Sequence, residues 1–242
     1  MILTFTGILL YSCQEIVSPT DSGKIQILKS ETKWNIDINS NLRTNKIYYK
    51  EYNKAGNLTI NEEYTENGSL HIRSSYNHEV TGSTEEVLMY GDTGNVLSKN
   101  KNEYQYDHFG RVVKKTAYDG NGKVSSVYTF QYDSKGNVVT KIEQNSTSGS
   151  QVKTDFNYSY NKQGELVERI TIQEGAEQSR DSLVYFPDRH QLQIYNFGTG
   201  GRITNIVEIN YNNAGRIIDE TKYDITGKIL KKYNYEYTFF LN

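Results

Sequence analysis

The chain has 242 residues, a formal net charge of −2 and a mean hydropathy of −0.72. The balanced charge argues against a nucleic-acid-binding surface, because such surfaces carry a clear excess of lysine and arginine. The unusual numbers are 21 tyrosines, 19 glycines and only 2 prolines. Since tyrosine favours strands and carries a polar tip, this composition indicates β-structure that is partly wet on both faces.

Residues 1–12 are predicted to be a lipoprotein signal peptide. Residues 2–10 are apolar but too few to span a bilayer, which takes about 20 residues, and they suit the h-region of an export signal. The segment Leu-Tyr-Ser-Cys at 10–13 resembles a bacterial lipobox, whose cysteine is lipidated. Cys13 is also the only cysteine, so no intramolecular disulfide can form. The alternative is an N-terminal strand with a buried cysteine, and the absence of a basic n-region before the apolar residues favours this alternative.

Residues 13–23 are predicted to be a polar tether, and residues 24–242 a single domain built from one short repeat. The unit Tyr-x-x-x-Gly occurs nine times, and the position two after the glycine is always Leu, Val or Ile. In seven copies the residue after the tyrosine is Asn or Asp, which bonds its own backbone, while the glycine accepts a positive φ. Each copy therefore predicts a type I turn that closes into a glycine bulge. The copies start at Tyr52, Tyr64, Tyr90, Tyr106, Tyr118, Tyr132, Tyr160, Tyr211 and Tyr223.

One strand and one tight turn per repeat make neighbouring strands antiparallel. A longer period of about 54 residues separates Tyr52, Tyr106 and Tyr160 and groups the strands in fours. We therefore predict an all-β fold, a repetitive antiparallel β-meander of short hairpins that forms a twisted, curved sheet of about fifteen strands. A β-propeller, which also has four strands per blade, and a closed wrap of the same sheet are the alternatives.

Three stretches, NEYQYDHFGRVVKK, YTFQYDSKGNVVTK and VEINYNNAGRIIDE, resemble the YD repeat of RHS-type proteins. That pattern is roughly Tyr-x-Tyr-Asp-x-x-Gly-Arg-Leu, and the resemblance covers about residues 48–237. The chain resembles small YD-repeat lipoproteins of the bacterial cell envelope more closely than it resembles large RHS proteins. The resemblance implies a repetitive β-sheet architecture and an association with carbohydrate binding.

The chain shows no constellation for catalysis, so we expect a non-enzymatic protein with no metal and no cofactor. The four histidines lack metal-ligand spacing, and neither a hydrolase elbow nor a phosphate-binding glycine loop is present. Acidic neighbours such as Glu85 and Glu86 point to opposite faces of a strand and are interpreted as solvated charges.

The candidate binding surface consists of Tyr-x-Tyr pairs, which place aromatic rings on one face of a strand. Such rings can stack on sugars or bind a partner, and a post-glycine arginine would reach an anionic glycan. The alternative for any one tyrosine is that it packs the concave face of its own sheet. The candidate residues are Tyr104, Tyr106, Arg111, Tyr158, Tyr160, Tyr233, Tyr235 and Tyr237.

Two functions remain open from the sequence. The first is a lipid-anchored envelope protein, on the outer membrane or the cell surface, whose repeat sheet is a binding module for a glycan or a protein. The second is a structural or assembly component of the envelope, whose sheet edges pair with other chains. The expected partners are a membrane, through the lipid on Cys13, and a glycan or an envelope protein, but not nucleic acid.

Overall fold

A computed structural model of the chain describes residues 27–79 and 82–240. The predicted signal peptide, Cys13 and the predicted tether lie outside the described residues. The described residues form sixteen strands and one 3₁₀ turn, Pro187–Arg189. The strands are Leu28–Ile36 (β1), Arg43–Tyr52 (β2), Leu58–Tyr64 (β3), Leu70–Glu79 (β4), Gly82–Tyr90 (β5), Val96–Tyr106 (β6), Val112–Tyr118 (β7), Val124–Tyr132 (β8), Val138–Asn145 (β9), Gln151–Tyr160 (β10), Leu166–Gln173 (β11), Ala176–Phe186 (β12), Gln191–Phe197 (β13), Ile203–Tyr211 (β14), Ile217–Tyr223 (β15) and Ile229–Phe239 (β16).

The sheet is a closed barrel. Every strand pairs antiparallel with its neighbours in the chain, and β1 pairs with β16, from Leu28 opposite Phe239 to Ile36 opposite Lys232. Sixteen strands at a spacing of about 4.8 Å give a diameter of at least about 24 Å if the barrel is circular, since the tilt of the strands widens it. The predicted antiparallel meander is confirmed, and it takes the form of the closed wrap. The described strands leave no free edge, so no strand of the closed sheet can pair with another chain in the way that the predicted assembly function requires.

The repeat forms the turns predicted for it. All nine repeat glycines have φ between 72° and 87°, a region that other residues rarely adopt. In one copy, the Asp107 Oδ1 atom accepts the N–H groups of Phe109 (2.9 Å) and Arg111 (3.0 Å). The Gly110 N–H group donates to the Asp107 carbonyl oxygen at 3.0 Å, and the bulge follows where Tyr106 faces Val112. The turns therefore depend on contacts within five residues.

The two faces of the barrel wall differ in how well their charged side chains are covered. Lys33 and Glu220 share one face, and their side chains are 14% and 19% exposed. Lys99 and Lys101 lie on the other face, and their side chains are 64% and 52% exposed. Since the better-covered face of a closed barrel is its inside, we call the face with Lys33 the inner face.

The interior of the barrel is not a dry core. Among the described residues, Leu192 is the only buried hydrophobic residue on the inner face, while Ile36, which is also buried, lies on the outer face opposite Lys232. None of the described large side chains is fully buried. Buried polar residues outnumber the buried hydrophobic ones and include Glu85, Asn102 and Asp181. Charged side chains therefore lie on both faces of the wall.

The repeat tyrosines alternate between the two faces. Ile27 and Phe240 lie together at one rim, where the Phe240 N–H group donates to the Ile27 carbonyl oxygen at 3.0 Å. We call this end the N-terminal rim. Turns at the two rims are related by a 180° rotation about an axis that lies in the sheet and is perpendicular to the strands. This rotation exchanges the two rims and also the two faces. The same turn motif therefore places its tyrosine on one face at one rim and on the other face at the opposite rim. The repeat tyrosines at the N-terminal rim point inward (Tyr52, Tyr106, Tyr132, Tyr160 and Tyr211), and those at the opposite rim point outward (Tyr64, Tyr90, Tyr118 and Tyr223).

Candidate binding site on the inner wall

The seven predicted tyrosines all lie on the inner face, as strand register shows. They do not form one patch, because they belong to three strands that are not neighbours, β6, β10 and β16. They instead form three separate stripes, which are Tyr104 with Tyr106, Tyr158 with Tyr160, and Tyr233 with Tyr235 and Tyr237. Each stripe has to be judged by its own contacts.

Several inner tyrosines clamp the backbone of a neighbouring strand. The hydroxyl groups of Tyr158 and Tyr237 donate to the carbonyl oxygens of Val138 and Ile217, both at 2.9 Å. Tyr132 makes the same bond with the carbonyl oxygen 20 residues before it, at 2.6 Å. These bonds tie a tyrosine to the residue that begins the preceding strand. Packing of the wall, the alternative weighed for single tyrosines, therefore accounts for Tyr158 and Tyr237.

Arg111 is held within its own turn. Its guanidinium group pairs with the Asp107 carboxylate, with Nη2 and Oδ2 2.6 Å apart, and stacks 4.6 Å from the centre of the Tyr132 ring. Burial raises the pKa of Asp107, but the hydrogen bonds from Arg111 and from backbone N–H groups outweigh it, so the pKa is lowered overall. The donors that would reach a glycan are thus largely occupied.

The stripe on β16 belongs to a cluster at the closing seam of the barrel. The Glu220 carboxylate accepts hydrogen bonds from Lys33 Nζ and from the Tyr235 hydroxyl group, both at 2.8 Å. The Lys33 ammonium group also lies 4.1 Å from the centre of the Tyr233 ring, and Tyr48 packs edge-on against Tyr235. These contacts join β1, β2, β15 and β16, so this stripe stabilises closure.

Glu85 is the centre of a buried polar cluster on the inner wall. Its carboxylate accepts hydrogen bonds from the hydroxyl groups of Tyr76 (2.8 Å) and Tyr104 and from the Asn102 amide (2.7 Å). Burial raises the pKa of Glu85, but these bonds and one from Ser74 outweigh it, and the pKa lies below its ordinary value. The interpretation of Glu85 as a solvated charge was wrong, because the inner tyrosines that cover it come from strands on both sides.

A second row on the inner wall runs across five strands beside this cluster. We call it the Lys115 row, and it consists of Ser83, Tyr104, Lys115, Tyr128 and Glu143, each paired with the next across β5 to β9. The Lys115 Nζ atom lies 5.7 Å and 5.6 Å from the ring centres of its two tyrosine neighbours. The Tyr128 hydroxyl group donates to Glu143 Oε1 at 3.0 Å. Apart from Tyr104, sequence analysis missed this row, because local patterns do not show which strands are neighbours.

A cavity of about 300 Å³ adjoins this part of the wall at the rim opposite the N-terminal rim. It opens where β6 extends past the hairpin between β7 and β8. Its volume is at the lower end of the range for small-molecule sites. The lining residues are Val87, Asn100, Asn102, Ala117, Tyr118, Asp119 and Ser125.

Within residues 27–79 and 82–240, no group of three or more His, Cys, Asp or Glu side chains is placed to hold a metal ion. The same residues include no helix long and apolar enough to cross a membrane.

Comparisons with known proteins give only distant structural matches. No protein-family model matches the chain, and no curated protein matches it. Porin-like proteins from Bacteroides uniformis (12% identity, TM-score 0.36) and Bacteroides vulgatus (11%, 0.39) cover 87% and 88% of this chain and 98% and 99% of their own. The Photorhabdus luminescens Tc holotoxin pore matches 81% of this chain and 17% of its own, at 11% identity and a TM-score of 0.21. TM-scores below 0.5 carry no argument about function.

Proposed function

We propose that this chain is a non-enzymatic envelope lipoprotein whose barrel binds a glycan on its inner wall. One observation carries the proposal: the inner wall combines half-covered aromatic rings with polar side chains. Sugars suit such a surface, because their C–H faces pack on aromatic rings while their hydroxyl groups exchange hydrogen bonds with polar side chains.

The wall around Tyr104 is the part of the interior that best supports binding. Its hydroxyl group is bonded to the Glu85 side chain rather than to backbone, and the cavity over Asn102 and Ala117 lies beside it. Tyr158 and Tyr237 are tied to backbone carbonyl groups instead, so their rings are less free to adjust to a ligand. Of the three stripes, the one on β6 is therefore the proposed site.

In this proposal, Cys13 carries the lipid and the barrel stands in water at the outer membrane or the cell surface. The described chain begins at Ile27 on the N-terminal rim, so this rim would face the membrane. The exposed charges of the outer face support a wall surrounded by water.

We expect the Tyr104→Ala substitution to weaken glycan binding at least tenfold, a loss of about 1.4 kcal/mol, because it removes a stacking surface. The purified chain would be screened on a glycan array, and the affinity for each hit measured by calorimetry. Tyr195→Ala is the matched control, since Tyr195 lies on the outer face and bonds Gln193 (3.0 Å). A folded chain that binds no glycan, or an equal loss in the control, contradicts the proposal.

The lipid anchor is tested separately from binding. We expect the Cys13→Ala substitution to abolish incorporation of a radiolabelled fatty acid and to move the chain from the membrane fraction to the soluble fraction. A variant that keeps its label and its membrane association would show that Cys13 is not the site of lipidation.

A further inference from the structure

The ammonium group of Lys115 has no hydrogen-bond or ion-pair partner in the described part of the chain. It is half-buried on the inner face between two tyrosine rings, and its Nζ atom has no hydrogen-bond acceptor and no carboxylate within 4.0 Å. Burial lowers the pKa of Lys115, and the more distant charges of Glu85 and Glu143 oppose that shift. A partly desolvated cation with three free donors is stabilised by any ligand that offers oxygen acceptors.

The charges around this lysine select against acidic ligands. The two carboxylates that act on it, Glu85 and Glu143, contribute −2 and the lysine +1, so these three groups sum to −1. Lys141 shares the inner face but lies one row farther from the cavity than Glu143. A carboxylate on a ligand would gain one attraction and meet two repulsions, whereas a neutral hydroxyl group meets none. From the described residues Glu143 accepts one hydrogen bond, donated by Tyr128, and a carboxylate has about four acceptor positions. A ligand hydroxyl group can therefore donate to Glu143 while its neighbour accepts from Lys115.

The dimensions of the row fit a single sugar ring. Tyr104 and Tyr128 lie two strands apart, which corresponds to about 10 Å. The next row on the inner face, about 7 Å along the strands, includes Asn102 and Ala117, which line the cavity of about 300 Å³. The Lys115 row therefore brings two aromatic rings, a donor and an acceptor to the wall beside that cavity.

From this geometry, and resting on the proposed glycan-binding function, we infer that the Lys115 row is a subsite for one neutral pyranose ring. Two adjacent hydroxyl groups of that ring bridge Lys115 and Glu143, while its C–H face packs against Tyr104 or Tyr128. Uronic acids and other acidic sugars are excluded by the surplus carboxylate.

The test is a calorimetric titration of the full chain with neutral hexose oligosaccharides of gluco, galacto and manno configuration, and with oligogalacturonate as the acidic counterpart. We expect at least one neutral probe to bind at least tenfold more tightly than oligogalacturonate. Lys115→Met should lower the affinity for the neutral probe at least tenfold, and Lys115→Arg should restore part of that affinity. Glu143→Gln should reduce the difference in affinity between the neutral and the acidic probes. Lys114→Met is the matched control, since Lys114 is the preceding residue and lies on the outer face.

The outcomes separate this inference from the function on which it rests. Tighter binding of oligogalacturonate, or neutral binding unchanged in folded Lys115→Met, overturns the subsite and leaves glycan binding in place. A chain that binds neither neutral nor acidic glycans overturns the proposed function, and the subsite with it. Far-UV circular dichroism and the urea midpoint of each variant show that a loss of binding is not a loss of fold.

Discussion

Truncation after Tyr223, which removes β16, is expected to turn the chain into a self-associating form. β16 pairs with both β1 and β15, so its loss leaves two long unpaired edges on a sheet that otherwise has none among the described strands. The seam with β1 contains eight residue pairs. Since each hydrogen bond contributes a net free energy of about 1 kcal/mol, the seam contributes a free energy comparable with the roughly 5–15 kcal/mol of net stability of a typical domain.

Side chains also hold the seam on both faces. On the inner face, Lys33 of β1 reaches over β16 to Glu220 of β15, with Nζ and Oε2 2.8 Å apart. On the outer face, Arg43 of β2 reaches over β1 to Glu236 of β16, with Nη1 and Oε2 2.7 Å apart. Since each of these ion pairs skips one strand, both depend on closure and neither survives in an open sheet.

Light scattering after size-exclusion chromatography, over a range of concentrations, would measure the effect of the truncation. We expect the mass of the truncated chain to rise with concentration while that of the full chain stays constant. A synthetic peptide of residues 224–240, added in excess, is the control, because it supplies the missing strand and should restore the smaller species. A truncated chain that keeps the mass of a single copy at all concentrations would show that the seam does not protect the edges.

Glu85→Ala is expected to lower the free energy of unfolding by about 3 kcal/mol. The substitution leaves the hydroxyl groups of Tyr76 and Tyr104 and the Asn102 amide without their acceptor, on the covered side of the wall. Each unsatisfied buried donor costs about 1–3 kcal/mol, and partial access of water to the barrel interior keeps the total near the low end. Urea denaturation followed by circular dichroism measures the change.

Glu86→Ala is the matched control, since Glu86 is the neighbouring residue on the exposed outer face and pairs there with Lys99. Exposed substitutions of this kind stay within about 0.5 kcal/mol. Equal effects of the two substitutions would contradict a structural role for the Glu85 cluster.

The charge of Glu85 adds a pH dependence to the same experiment. Its pKa in the folded chain lies below the ordinary value of 4.5. The ionised form therefore stabilises the fold above that value, and the contribution is lost as the pH falls through the folded pKa. Below pH 4.5 we expect the wild type to lose stability more steeply than Glu85→Gln. Asp107 and Asp133 also have lowered pKa values, so the difference between the two proteins is the quantity that isolates Glu85.

The turns and the antiparallel order of the strands follow from local sequence. Asp107 bonds N–H groups two and four residues ahead of it, and Gly110 needs only its own freedom to take a positive φ, so everything that forms the turn lies within a few residues. A tight turn leaves the next strand no direction but back along the previous one. These interactions are already available to an isolated peptide, which is why a repeat of five residues predicts them.

The shared face of each Tyr-x-Tyr pair was also predictable, because side chains alternate along a strand. Which face is the inside was not, and neither was the alternation of the repeat tyrosines between inside and outside. Tyr106 and Tyr118 belong to the same motif, yet one points inward and the other outward because their turns lie at opposite rims. A local pattern is identical at both rims, whereas inside and outside exist only in the closed barrel.

Closure and the binding wall depend on contacts between residues that are distant in the chain. Ser30 and Thr238 meet at the seam across 208 positions, and their hydroxyl groups are 2.7 Å apart. Glu85 and Lys115 acquire their roles from side chains on neighbouring strands, and no spacing within one strand shows these neighbours. Local chemistry thus accounts for the strands and turns of this protein, while the number of strands needed for the ends to meet, and the side chains that then share the interior, follow from the accumulated twist and curvature of the whole sheet.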